Sequence, residues 1–370
     1  MNSASKITII TDSASDMPRN LHNQVTVLPM TISFGDEQFE DGVTLSADEF
    51  YMKLIESDTL PKTSQVSPFA FTSAYETALT HSDAVIVITL SSKLSGTYQS
   101  ACIAAGDYES EHAGSQGKIY IIDSENVTVG EQILIEYALK LINDGLSATA
   151  IADELNSAKK RIRLVALLDT LEYLKKGGRI SSSAAFLGNV LKIKPVIAID
   201  NGEVAILGKA RGSKQGNNFL IEQVNTYGGI DYSMPVLLGY TGCSTELIDK
   251  YIKSYHQLRH VLAHQRLAAG HPHGVDAALG KQRSQAQKFF VGQHGFPLQL
   301  FHAVRHAVAA AQVAQVGHRQ AQVMDLALVT IKHSRPPPGC SGRSCRRSFP
   351  PDGSRPAPCP YPRPCTYRRW

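Results

Sequence analysis

At residues 84–97 the chain reads AVIVITLSSKLSGT. Its first seven residues, Ala84–Leu90, are apolar or β-branched at odd and even positions alike. A strand with helices on both faces needs that pattern. The run gives way to the polar loop Ser91–Thr97 and then to a helical stretch, Tyr98–Ala105. Strand, loop and helix in that order form one arm of a βαβ unit.

The same alternation extends in both directions. Upstream, Lys6–Thr11 (KITIIT) reads as a strand, followed by the polar turn Asp12–Asp16 and by Pro18 near a helix start. Val25–Phe34 is a second strand, interrupted by Pro29 and so at an edge or bulged. Ser46 and Glu49 form a capping box, with Phe50, Leu54 and Ile55 at helical spacing behind it. Ser67-Pro68 opens another helix. Downstream come a strand at Lys118–Asp123 and a helix at Ile133–Leu141. Strands alternating with helices predict an α/β lobe with a mostly parallel sheet over residues 1–155.

A second α/β lobe with a mixed sheet is expected over 156–255, entered through a helix at Ala148–Lys160. Its elements are a strand at Leu164–Leu168, a short helix at Leu171–Lys176 ending at Gly177-Gly178, and a hairpin turning at Asn201-Gly202. A helix at Gln215–Tyr227, a strand at Val236–Tyr240 and a helix at Thr245–Tyr255 complete it.

Composition changes abruptly at that point. Residues 1–255 hold 21 Lys+Arg against 30 Asp+Glu, whereas residues 256–370 hold 16 against 3 and no Glu. Ten of the 13 His and 12 of the 18 Pro also follow the boundary, so one set of constraints does not describe both parts. The acidic body argues against nucleic acid, which needs a basic face. No apolar run reaches the ~20 residues of a membrane span, and no secretory signal is visible. Cys102 and Cys243 are too few for a disulfide framework, so a cytoplasmic setting is expected.

Ligands of an open parallel sheet gather at the carboxyl ends of its strands. Asp12–Asp16 is one such place. Its carboxylates and hydroxyls suit a metal or phosphate, but a capped turn is the commoner use of Asp and Ser. Ser91–Thr97 is another. Ser95 offers a hydroxyl, Gly96 permits close approach to the backbone, and the helix N-terminus favours an anion. Thr63–Pro68 (TSQVSP) adds hydroxyls ahead of a helix. Lys175–Ser181 (KKGGRIS) is either a solvated turn or a cationic lid from the second lobe. His22, His81 and His112 stand apart from these loops, and no nucleophile–base pair emerges, which disfavours a hydrolase.

These segments together resemble the DegV family, the bacterial fatty-acid-binding proteins that include the FakB acyl carriers. The matching stretches are IITDSASD (9–16), LPMTISFGDEQFEDGV (28–43), KTSQVSPFAF (62–71), ITLSSKLSGTYQSA (88–101), LDTLEYLKKGGRIS (168–181) and GKARGSKQG (208–216). They cover about residues 6–255. The resemblance implies a fatty acid buried between or beneath two lobes. Thr63 and Ser95 would hold its carboxylate, Gly96 would lend backbone N–H, and Arg179 would line the site. Arg211 would lie on the surface that docks a fatty acid kinase, which phosphorylates the bound acyl group. The chain would then carry substrate and perform no chemistry itself, with no cofactor. A sixteen-carbon tail gains about 0.8 kcal/mol per buried methylene, so tail burial can dominate affinity.

Two features depart from the family. Its second lobe ends with IGxHxGPG, whose histidine also contacts the carboxylate. Nothing of that form follows Tyr255, and His273-Gly274 and His294-Gly295 lack the surrounding pattern. Cys340, Cys345, Cys359 and Cys365 are spaced too loosely, amid too much proline, for a compact zinc site. Residues 256–370 are expected to be aberrant or disordered, with translation in a shifted reading frame accounting for their composition. The rival readings are a metal-dependent small-molecule transferase or phosphatase using Asp12 and Asp16, and a frameshifted product with impaired lipid binding.

Overall fold

A computed structural model describes residues 5–57, 59–180, 193–241 and 324–331. Strand β1 (Ile7–Asp12) runs parallel to β2 (Val25–Leu28), which takes up only the first part of the strand expected at Val25–Phe34. Pro29 then ends one strand and begins a change of sheet. It has no N–H for a ladder, and the chain re-forms beyond it as β3 (Thr31–Phe34) in a separate antiparallel sheet. There β3 lies between β4 (Glu37–Glu40) and β5 (Lys62–Ser64), two short strands the sequence pattern did not reveal. Helix α1 (Ala47–Glu56) begins with both bonds of the Ser46–Glu49 capping box in place. It buries Phe50, Tyr51 and Leu54 against Ile32 and Phe34 of β3.

Helix α2 (Pro68–Leu79) starts where expected, with Ser67 capping the Ala70 N–H and proline in the first turn. Strand β6 (Ala84–Thr89) is buried at every position and pairs in parallel with both β1 and β7 (Ile119–Asp123). Between them runs α3 (Thr97–Glu111), and beyond β7 run α4 (Val129–Asn143) and α5 (Ala148–Ala158). The sheet order β2-β1-β6-β7 reverses direction between β1 and β6. Such a switch point opens a crevice beyond the strand ends.

The second lobe opens with β8 (Ile162–Leu168) and α6 (Glu172–Lys176). Next come β9 (Ile193–Asp200), β10 (Glu203–Arg211), α7 (Gly212–Thr226) and the short β11 (Leu238–Gly239). The mixed sheet expected there has only antiparallel pairings among the described residues, in the order β10-β9-β8-β12-β11. Its fourth strand, β12 (Met324–Ile331), comes from the composition-shifted region and lies between β8 and β11. The sheet is thus completed by a strand drawn from far along the chain. The helix expected at Thr245–Tyr255 lies outside the described residues.

Alternation along β8 divides the molecule's cores. Leu164, Ala166 and Leu168 join the first-lobe core, as do Ile197 and Ile199 of β9. Val165 and Leu167, with Val196 and Ala198, face Leu220 and Val224 of α7 in a second core. A period of two along a strand produces this division. Gly216 lets α7 approach closely, since a Cβ there would overlap the Leu167 side chain.

Candidate functional site

The crevice at the switch point is filled by a protein side chain. Asp12 is fully buried, and its two carboxylate oxygens accept the Ala14 and Leu90 N–H groups, each at 3.0 Å. The second bond crosses from the end of β1 to the end of β6. Burial pushes the Asp12 carboxyl up to about 7 although these two donors favour the charged form. Beside it Thr11 donates to Glu131 Oε1 at 3.1 Å. Burial, followed by the neighbouring Asp12, holds Glu131 well above the usual carboxylate range. Asp16 is buried in a left-handed turn after β1. Asp12 therefore acts as the turn cap that its sequence context favours. Among the described residues no cluster of His, Cys, Asp and Glu could hold a metal ion.

A more open arrangement lies at the N-terminus of α3. Gly96 precedes the helix and offers no side-chain cap, and the helix's positive dipole end lies at this turn. Ser95 and Thr97 hydroxyls lie 3.1 Å apart, and the Thr97 N–H donates to Ser95 Oγ at 3.3 Å. The segment carrying Thr63 is fastened alongside. Val66 N–H donates to Thr97 Oγ1 at 3.4 Å, and Gln65 Nε2 donates to Ser100 Oγ at 2.9 Å. Gly96 accommodates Gln65 closely, because a Cβ there would overlap its amide oxygen. Thr63 sits mid-strand in β5, paired with Ile32, and is half-buried like Ser95 and Gly96.

The second lobe reaches this cradle through Arg179, whose Nε donates to the Leu94 carbonyl at 3.2 Å. Its guanidinium also bonds the Gly177 carbonyl, bracing the turn beyond α6. Lys175 and Lys176 are exposed, so the guanidinium is the part of that basic loop in contact with Leu94. Arg211 is exposed where β10 enters α7, with its N–H bonded to Gln215 Oε1 at 2.7 Å. The structure thus brings the segments of Thr63, Ser95, Gly96 and Arg179 together and places Arg211 elsewhere on the second lobe. His22 and His112 make local bonds to the Met17 and Tyr108 carbonyls. His273 and His294 lie outside the described residues.

Sequence reasoning passed over Gln65, Thr97 and Ser100, which tie the two segments together. Gln65 and Thr97 stand inside the TSQ and SGT motifs, so that shared small-polar spacing was the available signal. Glu131 gave none, because a lone Glu in an apolar helix resembles a solvated position. An open cleft of about 280 Å³ lies along α2 between that helix and β2, lined by Leu28, Ala70, Ala74 and Ala78 together with Thr26, Ser73, Thr77 and His81. Among the described residues no helix is long and apolar enough to cross a membrane.

A family model described as "Uncharacterised protein, DegV family" matches residues 6–272. The chain belongs to the DegV family. A DegV domain-containing protein of Caldanaerobacter subterraneus is 36% identical over 230 residues, covering 62% of this chain and 79% of the relative. The crystal structure of DegV from Bacillus subtilis, described as a fatty acid binding protein, is 28% identical with a TM-score of 0.58. That match covers 68% of this chain and 90% of the other. A DegV family protein from Eubacterium eligens, loaded with heptadecanoic acid, is 25% identical with a TM-score of 0.59, over 70% and 89% of the two chains. The DegV match extends past Tyr255, where the sequence motifs stop.

Proposed function

We propose that this chain binds a long-chain fatty acid and holds its carboxylate with Thr63, Ser95 and the Gly96 N–H. One observation carries the reading: hydrogen bonds from Gln65 and Val66, just beyond Thr63, to Ser100 and Thr97 hold the two segments together at the N-terminus of α3. That end supplies partial positive charge and N–H donors to a carboxylate. Each charge-assisted hydrogen bond contributes roughly 1.5–3 kcal/mol. Fatty-acid binding in the Bacillus and Eubacterium relatives supports the same ligand class. Helix α2 begins just after Gln65, so the cleft along it is the room we assign to part of the tail.

The chain in this reading is a carrier with no catalytic residues and no cofactor, working in the cytoplasm. Arg211, exposed on the second lobe, is the point at which a fatty acid kinase would dock. The body comprises lobes at 1–155 and 156–255, and residues 256–370 derive from a shifted reading frame. Asp12 argues against the metal-dependent alternative, because both its oxygens are already used by backbone N–H groups.

Native mass spectrometry of the purified protein is expected to show a co-purified acyl chain. Delipidated protein that regains no affinity for palmitate, yet turns over a substrate when metal is added, overturns the reading. An uninterrupted frame through residue 370 in the sequenced transcript overturns the frameshift.

A further inference from the structure

The Asn201-Gly202 turn does more than close a hairpin. Both residues have positive φ, 48° and 84°, the geometry of a tight two-residue turn between β9 and β10. Hairpin tips are ordinarily exposed, yet Gly202 is buried against the first lobe. Ser91 Oγ, itself fully buried, donates to the Gly202 carbonyl at 2.7 Å and accepts the Lys93 N–H at 3.2 Å. The Ser91 carbonyl in turn accepts the Leu94 and Ser95 N–H groups at 2.9 and 3.2 Å. A Cβ on Gly202 would stand 2.5 Å from Ser91 Oγ and 3.6 Å from Glu125 Cα. Glycine is therefore required twice, for its φ and for the close approach.

We propose that the Asn201-Gly202 tip is a positioning element of the head-group site. By holding Ser91 through the Gly202 carbonyl, the second lobe sets the pose of the loop that presents Ser95 and Gly96. Arg179, on the Leu94 carbonyl, fastens the same loop at a second point. Gly202 and Ser91 touch no ligand and act through the turn between them. The ligand part of this inference rests on the fatty-acid reading above. The loop-positioning part does not.

The test compares Gly202→Ala, Ser91→Ala and the double variant in the full chain. Palmitate and its methyl ester serve as probes, and amide hydrogen exchange is followed in ligand-free protein. Gly202→Ala is expected to weaken palmitate binding about tenfold, the scale of one charge-assisted hydrogen bond, while the ester is little affected. Exchange at Leu94 and Ser95 should quicken. The Ser91→Ala background should absorb most of the Gly202→Ala effect, because both act through one contact. Equal losses for acid and ester, or additive losses that track the melting temperature, overturn the positioning role. If the unaltered protein binds neither probe, the fatty-acid reading fails. Exchange at Leu94 and Ser95 then still decides the positioning: unchanged rates on Gly202→Ala overturn it.

Discussion

Both lobes reach the Ser91–Thr97 loop but bring different things to it. In the proposed site the first lobe supplies the hydroxyl of Thr63, mid-strand in β5, and the hydroxyl of Ser95 with the N-terminal turn of α3 beyond β6. From the second come contacts to backbone carbonyls or from its own carbonyl, through Arg179 and Gly202. For Ser95 and α3 the difference follows from sheet type. Parallel strands send all their carboxyl ends to one edge, where loops and helix N-termini collect. An antiparallel hairpin offers a tight tip, suited to wedging against another surface. In the proposed site, ligand chemistry is thus concentrated in one lobe and its alignment is shared with the other.

The sharpest way to break this contrast is to remove the first lobe's hydroxyls. Thr63→Val with Ser95→Ala should cost about 3 kcal/mol of palmitate affinity, roughly a hundredfold, by calorimetry on delipidated protein. Because both positions are half-buried, the melting temperature should hardly move. Unchanged affinity would strip the first lobe of its assigned role.

A pH dependence should also belong to the first lobe. Asp12 is about 7 when folded, above its unfolded value, so the folded state binds more protons across that interval and loses stability as pH rises through it. Between pH 5 and 7.5 this amounts to about 2–3 kcal/mol. Asp12→Asn should remove that much of the fall, measured by urea unfolding at the two pH values. An identical pH profile in the variant would show that Asp12 does not hold its proton. In the second lobe, Gly216→Ala forces a methyl into Leu167 and should destabilise by about 1–3 kcal/mol while leaving palmitate affinity intact. Lost affinity at preserved stability would contradict the division of roles. Smallest is Ser46→Ala, which removes the α1 cap and should cost about 1 kcal/mol with no change in binding.

Much of the fold was legible because its signals are local. Ser46 and Glu49 announce α1, Ser67-Pro68 announces α2, and the apolar run at Ala84–Leu90 can serve only as a fully covered strand. What escaped notice depends on distant partners. Strands β4 and β5 are short and mostly exposed, and exist through pairing with β3. Val25–Phe34 read as one strand because Pro29 signals an interruption without saying that the two halves join different sheets. At the site, Ser95 and Gly96 stood out by their place between strand and helix. Ser91 and Gly202 are 111 positions apart, and no local pattern reveals a bond at that separation.

Strand β8 carries a consequence for how the molecule can be taken apart. One of its faces completes the first-lobe core with Leu164, Ala166 and Leu168, and the other completes the core beneath α7. A fragment ending at residue 155 would lack that inner strip and expose apolar surface where β8 had lain. Such a truncation would yield a sticky, aggregation-prone half and no self-sufficient module. Limited proteolysis between α5 and β8 should accordingly release no stable N-terminal piece. The division into lobes describes the path of the chain, whereas melting should proceed as one cooperative event.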